Sequence, residues 1–423
     1  MISMLSTNVC IIGAGPGGAA AALQLAQLGI ESVVVDKAVF PRDKVCGDGL
    51  SHKVLPVLDA IDKDMAQRLR AYAEKVDIWG MAFASPGSTR MEVAYKPNSD
   101  REVNEPAAFV CKRIHFDNFL IDELKRRSGM IRLYEGIAIE KYALEDDGYV
   151  VSDAAGHFAV KARLLIVANG AYSSFTKNVA NIRMAPAHCS AAVRAYYKNV
   201  KGCHVNGFLE WYFLKPLLPG YFWIFPLPNG EANVGISMSS ETVRKKKVNM
   251  KKLLINILQH DPIFQERFRD AEIISAIEGY CLPLSSKKRK LSGPRYMLVG
   301  DAAYMVDPFT GEGIGNALHT GRLAAQHAAA TLKKNDFSAA AMAAYDENVY
   351  RVLGSELQLS RRLQKLAKYP VLLNLLIGMG RRNKQLRELI SRMFNDLTLR
   401  RKLALPSFYI KLILAYCAKV RRT

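Results

Sequence analysis

The residues of this chain best suited to chemistry are a cluster of glycines and one acid near its start. Asn8-Val9-Cys10-Ile11-Ile12-Gly13-Ala14-Gly15-Pro16-Gly17-Gly18 is an apolar run that breaks into GxGxxG and then into the helix-forming segment Ala19 to Leu28. Gly13 permits a tight turn, Gly15 lets backbone approach a pyrophosphate, and Gly18 lets helix pack on strand, while the helix N-terminus faces the negative charge. Gly17 belongs to the same loop. The next apolar run, Ser32-Val33-Val34-Val35, ends at Asp36, where a carboxylate accepts from a ribose hydroxyl. Glycine turns also join strands to helices for structural reasons alone. Here strand, helix and acid stand in register, and the segment reads as a dinucleotide site.

A second set of candidates lies far along the chain. Tyr296-Met297-Leu298-Val299 is a short apolar strand ending in Gly300-Asp301-Ala302-Ala303, and Pro308-Phe309-Thr310-Gly311-Glu312-Gly313-Ile314-Gly315 opens a helix running to about Leu332. This pair of segments resembles the ribityl and flavin-ring motif of FAD enzymes with the hydroxylase-like fold. The resemblance implies that Asp301 binds a ribityl hydroxyl. It also implies that Gly311, Gly313 and Ile314, at a helix start, favour negative charge developing on the reduced ring. Nicotinamide sites need no such second motif, so the implied cofactor is FAD.

Two more segments narrow the resemblance. In Pro219-Gly220-Tyr221-Phe222-Trp223-Ile224-Phe225-Pro226, a strand would project Tyr221, Trp223 and Phe225 to one face, an aromatic wall suited to an apolar chain. By period alone the three fit a domain core as well. In Arg42-Asp43-Lys44-Val45-Cys46-Gly47-Asp48-Gly49-Leu50-Ser51, Cys46 sits in a glycine-flanked loop after two cations, a mobile and electropositive setting for a thiol. The other cysteines read as small buried apolar residues. The KxCG loop and the YxWxFP strand resemble the geranylgeranyl reductase family, and with the motifs above the likeness spans residues 5 to 335. It implies that Cys46 and Gly47 face the flavin, that Arg42 contacts FAD phosphate or ribose, and that Tyr221, Trp223 and Phe225 line a substrate tunnel. Flavin halogenases carry a related WxWxIP, but Tyr221 and Phe225 stand at its first Trp and its Ile.

Asn169-Gly170-Ala171-Tyr172-Ser173-Ser174 departs from the Asp-Gly-Ala-x-Ser pattern, with a near Arg, of related flavoproteins. In some hydroxylases that motif serves both FAD and NAD(P)H. Asn169 and Gly170 remain implied cofactor contacts, but Asn169 replaces the acid and Thr176 stands where the Arg is expected. The electron donor is therefore open between NAD(P)H and a reduced protein carrier.

The function implied is an FAD-dependent reductase that saturates isolated double bonds of a polyprenyl, geranylgeranyl-type lipid or quinone side chain. An isolated alkene offers a hydride no electrophilic carbon, so a proton must arrive before or with it. A thiol with an unperturbed pKa of about 8.5 is mostly protonated at neutral pH, which makes Cys46, or a water it positions, the proton source. Tyr221 and Trp223 would hold the isoprene and stabilise positive charge through their π faces. Two other classes compete: a monooxygenase or halogenase of the same fold, which would consume oxygen, and a flavoprotein that binds or transfers electrons without turning over a substrate.

Composition bounds the rest. A chain of 423 residues, 50% hydrophobic and 9% aromatic, is long enough for two or three packed domains. Seven cysteines without a CxxC spacing argue for a reducing compartment and against a metal site. The first strand begins by about Asn8, which leaves no room for a signal peptide, so a cytoplasmic protein or one on the cytosolic membrane face is expected. Net charge is +20, and residues 361–423 hold sixteen Lys or Arg against two acids, Glu388 and Asp396. These charges flank two apolar stretches, Tyr369 to Gly380 and Phe408 to Ala418, each short of the ~20 residues that cross a bilayer. That combination suits a helix lying on an anionic membrane surface. The alternative is a helical tail packed on the body with a solvated basic face. No recognised binding module accompanies the charge, so nucleic acid is not an expected partner.

The flavin motifs come from the beginning, middle and late part of the chain, so the cofactor domain must be discontinuous. The expected fold is α/β. A Rossmann-like FAD-binding domain uses residues 1–75, 105–184 and 291–335, an antiparallel-sheet substrate domain uses 76–104 and 185–290, and a helical, basic C-terminal region uses 336–423. Val76 to Ala84 reads as one strand-rich run, Tyr149 to Ser152 and Phe158 to Val160 as a hairpin, Leu164 to Ala168 as a separate buried strand, and Ile273 to Tyr280 as one strand. Phe116, Phe119, Leu120 and Leu124 recur at helical spacing and mark a core-facing helix.

Overall fold

The computed structural model describes residues 4–95, 105–204 and 207–393. Its first sheet is built on the strand Leu5–Ile12, which pairs in parallel with Ser32–Val35 on one side and Ala159–Val167 on the other. Ile131–Tyr134 and Tyr296–Leu298 extend it, again in parallel. Val9, Ile11, Val33 to Val35 and Leu164 to Val167 are almost fully buried, as continuous apolar runs covered on both faces must be. Helix Pro16–Gln27 covers one face and packs on helix Ile314–Lys334. Gly17 and Gly321 let these helices touch, for a Cβ on Gly321 would fall on the Gly17 carbonyl.

The second sheet runs Glu272–Ile273, Cys189–Lys198, Glu231–Ser239, Phe222–Pro226, Phe208–Tyr212, Gly80–Ala84, Arg90–Ala94, with Glu278–Pro283 also paired to Cys189–Lys198. All its pairings are antiparallel except one: Phe208–Tyr212 runs parallel to Gly80–Ala84. The sheet is thus mixed where an antiparallel one was expected. The two parallel strands are more than a hundred residues apart in sequence, so no hairpin fixes their direction.

Three expected elements are redrawn. Val76 to Ala84 divides at Trp79: Val76–Ile78 joins Ala108–Val110 and Gly49–Leu50 in a small three-stranded sheet, while Gly80–Ala84 joins the large one. Phe158 to Val160 and Leu164 to Ala168 are parts of one strand, Ala159–Val167, which pairs with Tyr149–Ser152 as the expected hairpin. Ile273 to Tyr280 is broken between Glu272–Ile273 and Glu278–Pro283.

The C-terminal region forms helices Ala339–Leu366, Pro370–Arg382 and Lys384–Met393. Its first apolar stretch, Tyr369 to Gly380, turns Leu373, Ile377 and Met379 inward over strand Arg90–Ala94, and Asn374 Oδ1 accepts from the Gly87 N–H at 2.8 Å. Tyr369 and Val371 stay exposed, at 61% and 76%. This stretch follows the packed-tail alternative. The second, Phe408 to Ala418, lies outside the described residues. Among the described residues no helix is long and apolar enough to cross a membrane.

Candidate active site

The two sheets face each other across a cavity of about 770 Å³. Every candidate cofactor, catalytic and substrate residue lines it except Gly18, which lies beneath the loop, its Cβ position overlapping the Gly13 carbonyl.

The first wall is mostly backbone. Gly13 has φ +103°, and a Cβ there would sit 2.5 Å from the Ala168 carbonyl oxygen. Gly15 is different: a Cβ would find only Arg42 Nη2, at 3.9 Å. Gly15 therefore opens onto the cavity, at the start of a helix with Pro16 in its first turn and no side-chain cap on its free N–H groups, an arrangement that receives a phosphate. Asp36 accepts from the N–H groups of Ala14 at 2.7 Å and Ala38 at 2.8 Å, which ties the second strand to the loop. Arg42 is held by Asp117 at 2.5 Å, and Arg113 grips the same carboxylate at 2.6 Å through two nitrogens. Burial alone would raise the Asp117 pKa, but Arg113 and then Arg42 outweigh it and hold the carboxyl below its usual range.

Asn169 Oδ1 is a buried acceptor with no hydrogen-bond partner, on the cavity wall beside Gly170 at φ +85°. An orphaned acceptor and a methyl-sized gap at Gly15 are what a bound dinucleotide would fill. On the distal side Asp301 pairs with Lys44 Nζ at 3.3 Å, Gly311 has φ +73°, and Gly313 and Ile314 begin the long helix. The residues present fit FAD.

The second wall is mostly side chain. Tyr221, Trp223 and Phe225 follow one another along the wall, the first pair edge-on and the second tilted, with ring centroids 6.0 and 6.3 Å apart. Each is at least nine-tenths buried, yet all three line the cavity. The Tyr221 hydroxyl donates to the Thr310 carbonyl, in the loop just before helix Ile314–Lys334, and burial raises its pKa. The Cys46 loop lies directly against this wall, for a Cβ on Gly47 would be 3.4 Å from Phe225 and 3.6 Å from Trp223 Nε1. The electropositive reading of Cys46 is incomplete. Burial raises its thiol pKa and wins over Arg113 and Lys44, which lower it.

Several residues of the site carry no motif. Asn233 receives a hydrogen bond from Trp223 Nε1 at 2.9 Å and donates to both the Cys46 carbonyl and Asp48 Oδ2, each at 2.8 Å. Asp48, at φ +64° and fully buried, also accepts from the Tyr196 hydroxyl at 2.8 Å. Burial pushes its carboxyl up to about 6, against Asn233 and Tyr196, which lower it. The tail contributes as well. Glu356, Leu359, Ser360 and Leu363 of helix Ala339–Leu366, and Ile390 of Lys384–Met393, line the cavity. Val349, Leu353, Leu357 and Ser360 recur at helical spacing and are buried, a periodicity legible in the sequence but overshadowed by the basic charge.

The FAD binding domain family matches residues 6–349. The chain belongs to this family. It is an FAD-dependent oxidoreductase. It is 30% identical over 328 residues to a menaquinone reductase of Mycobacterium tuberculosis, an alignment covering 76% of each chain. To a digeranylgeranylglycerophospholipid reductase of Thermoplasma volcanium it is 28% identical over 355 residues, 82% of this chain and 84% of that one. Among solved structures, a geranylgeranyl bacteriochlorophyll reductase-like protein of Thermoplasma acidophilum matches with TM-score 0.77 and 22% identity, over 95% of this chain and 99% of that one. A flavin-dependent brominase matches with TM-score 0.74 and 18% identity, over 98% and 100%. These last two likenesses are of fold. The resemblance to the geranylgeranyl reductase family and the discontinuous α/β FAD-binding architecture are borne out.

Proposed function

We propose that this FAD-dependent oxidoreductase saturates isolated double bonds of a polyprenyl chain. The observation that carries the reading is the Cys46 loop seated on the Trp223 and Phe225 rings, inside the cavity whose other wall is the dinucleotide loop. Reduced FAD supplies the hydride when bound. The protein's own residues then have three tasks. Tyr221, Trp223 and Phe225 hold the apolar chain and face positive charge with their rings. Cys46, its thiol kept protonated by burial, delivers a proton to one alkene carbon before or as the other takes the hydride, and recovers a proton from solvent. The cofactor contacts are Gly13, Gly15, Gly17, Asp36, Arg42, Gly47, Asn169, Gly170, Asp301, Gly311, Gly313 and Ile314, while Gly18 acts through packing. The relatives' names, which specify reductases of menaquinone and of a geranylgeranyl lipid, support this class of substrate.

The test is anaerobic. Chemically reduced, FAD-loaded protein given a polyprenyl substrate should yield product heavier by two hydrogens per bond, without oxygen. A requirement for oxygen, or products gaining oxygen or halogen, replaces this reading with the monooxygenase or halogenase one.

The electron donor, NAD(P)H or a reduced carrier, is identified by which of them reduces the bound flavin. A bilayer-borne substrate further suggests a peripheral place on an anionic, cytosol-facing membrane. Tyr369 and Val371 are exposed at the start of helix Pro370–Arg382, just after Lys365 and Lys368, and Arg381 and Arg382 stand at its other end, the composition of an interfacial contact. Flotation with anionic liposomes should weaken with added salt; salt-independent flotation removes the charge attraction, and no flotation removes the membrane role.

A further inference from the structure

One cluster of ionisable side chains lines the cavity where the loop carrying Asp307 and Glu312 meets Lys53 and helix Ala339–Leu366. Lys53 is almost fully buried, and its three ammonium N–H groups are matched by Glu356 at 2.6 Å, Asn316 at 2.7 Å and Glu312 at 3.1 Å. Glu312 is occupied further by the Ser51 hydroxyl at 3.0 Å and the Gly315 N–H at 2.7 Å. Beside them Asp307, 1% exposed, accepts from the N–H groups of Phe309 at 2.9 Å and Thr310 at 2.8 Å. Lys53, Asp307, Glu312, Glu356 and Ser360 all face the cavity.

The charges do not balance. On the cavity lining three carboxyl groups face one ammonium; Arg361, which also acts on Asp307, lies outside that lining with its Nε on the Ser285 carbonyl, and the nearby His319 is held neutral, its pKa lowered by burial and then by Lys53 to about 4. Burial and then Glu356 raise the Asp307 pKa, as expected where carboxylates crowd in a site poor in water. Lys53 has no donor left for a further anion. A phosphate or diphosphate here would add about two to three negative charges to a buried surplus of the same sign, where repulsion is little screened. An uncharged hydroxyl or carbonyl head meets no such penalty, and a hydroxyl can donate to a carboxylate. The cluster adjoins the aromatic wall through Phe309 and Thr310, whose carbonyl accepts the Tyr221 hydroxyl. A head group seated at Asp307 and Glu356 therefore leads its first isoprene units past Tyr221 and Trp223.

We propose that this acidic end of the cavity selects polyprenyl substrates with an uncharged head group, such as a prenyl alcohol or a quinone, over the same chain carrying phosphate. The inference rests on the prenyl-reductase reading. It is tested with two compounds of identical chain, geranylgeraniol and geranylgeranyl diphosphate, on FAD-loaded protein reduced with dithionite under anaerobic conditions. The alcohol should have the higher kcat/KM by at least roughly tenfold. Glu356→Gln should narrow that ratio by at least roughly threefold, through the diphosphate rather than the alcohol. Asp307→Asn should act in the same direction and serves if the first variant does not fold. Equal use of both compounds, or a ratio that neither variant moves, overturns the proposal. Titrating each compound into oxidised holoenzyme and following the flavin absorbance reads the preference without turnover. If neither compound is reduced, the reductase reading fails, while the titration still decides the head-group selection by whether the alcohol binds more tightly.

Discussion

The two walls of the cavity are built on opposite plans. The wall proposed for the cofactor is backbone: glycines that leave room, a helix N-terminus, and Asp36 holding the loop through the Ala14 N–H. The wall proposed for substrate is side chain: rings from one strand, a thiol from a loop, and a carboxylate and leucines from helix Ala339–Leu366. A backbone-built site is specified by a few contiguous positions and fails when one of them acquires a Cβ. A side-chain-built site is specified by partners far apart in the chain, and it should lose function in steps.

The largest expected effect separates space from packing within one loop. Gly15→Ala adds a methyl that meets nothing in the protein closer than Arg42 Nη2, so the chain should fold but lose FAD, its flavin absorbance falling to near zero after purification. Gly18→Ala drives its methyl into the Gly13 carbonyl and should prevent folding, as overpacking against backbone does. Full FAD occupancy in Gly15→Ala breaks the comparison at its root.

On the other wall the effect should be graded. Cys46→Ala should keep FAD bound and slow alkene reduction by on the order of 10²–10⁴, the range for losing a positioned acid. Because burial raises the thiol pKa, the wild-type rate should stay level through neutral pH and fall only in the alkaline range, above the ordinary thiol value. Stopped-flow reoxidation of the reduced protein by substrate, across pH, measures both. A level profile that persists in Cys46→Ala at full rate assigns the proton to another donor.

What the sequence made legible follows the same division. Gly13 to Gly18, Asp36 and Asp301 could be found because strand, turn and helix impose a local order on them. The alternation at Tyr221, Trp223 and Phe225 was visible for the same reason, and so was Cys46 through its flanking glycines. Asn233 and Asp48 were not: they lie 185 residues apart, and a buried polar pair has no period. Nor was the joining of Lys53 to Glu356, since an ion pair leaves no trace until the tail helix is folded back. The division of Val76 to Ala84 was hidden too. Its alternation is the same in both sheets, and the switch at Trp79 depends on the Gly207 carbonyl, which takes the Trp79 N–H at 3.0 Å.

Asp48 offers a smaller and purely thermodynamic test. Its folded pKa of about 6 lies above the ordinary 3.8. Between those values the folded protein binds a proton that the unfolded chain has released. The stabilisation is therefore full below the ordinary value and is lost as pH rises through about 6. Asp48→Asn removes this dependence, so its stability relative to wild type should improve between pH 4 and pH 8 by on the order of 3 kcal/mol. Urea unfolding at both pH values decides it. A difference that does not change with pH would show that Asn233 and Tyr196 fully compensate the buried charge.

The smallest effect sharpens the comparison most, because it splits one residue into its two tasks. Trp223 is both part of the apolar wall and, through Nε1, the donor that fixes Asn233 and with it the Cys46 carbonyl. Trp223→Ala removes both, whereas Trp223→Phe keeps a ring and removes only the bond. If the wall's role is to hold chain, Trp223→Ala should lower kcat/KM for a twenty-carbon prenyl substrate by roughly tenfold, about the worth of one buried aromatic contact, and lower it less for a five-carbon analogue. Trp223→Phe should preserve that preference for length while slowing substrates of both lengths alike, since an unpaired Asn233 loosens the loop that carries the thiol. Steady-state kinetics on the two chain lengths suffices. Equal losses on both lengths in Trp223→Ala would mean that the ring only packs, and that the chain is held elsewhere in the cavity, with Phe213 and Phe309, stacked 5.8 Å apart, as the next rings to test.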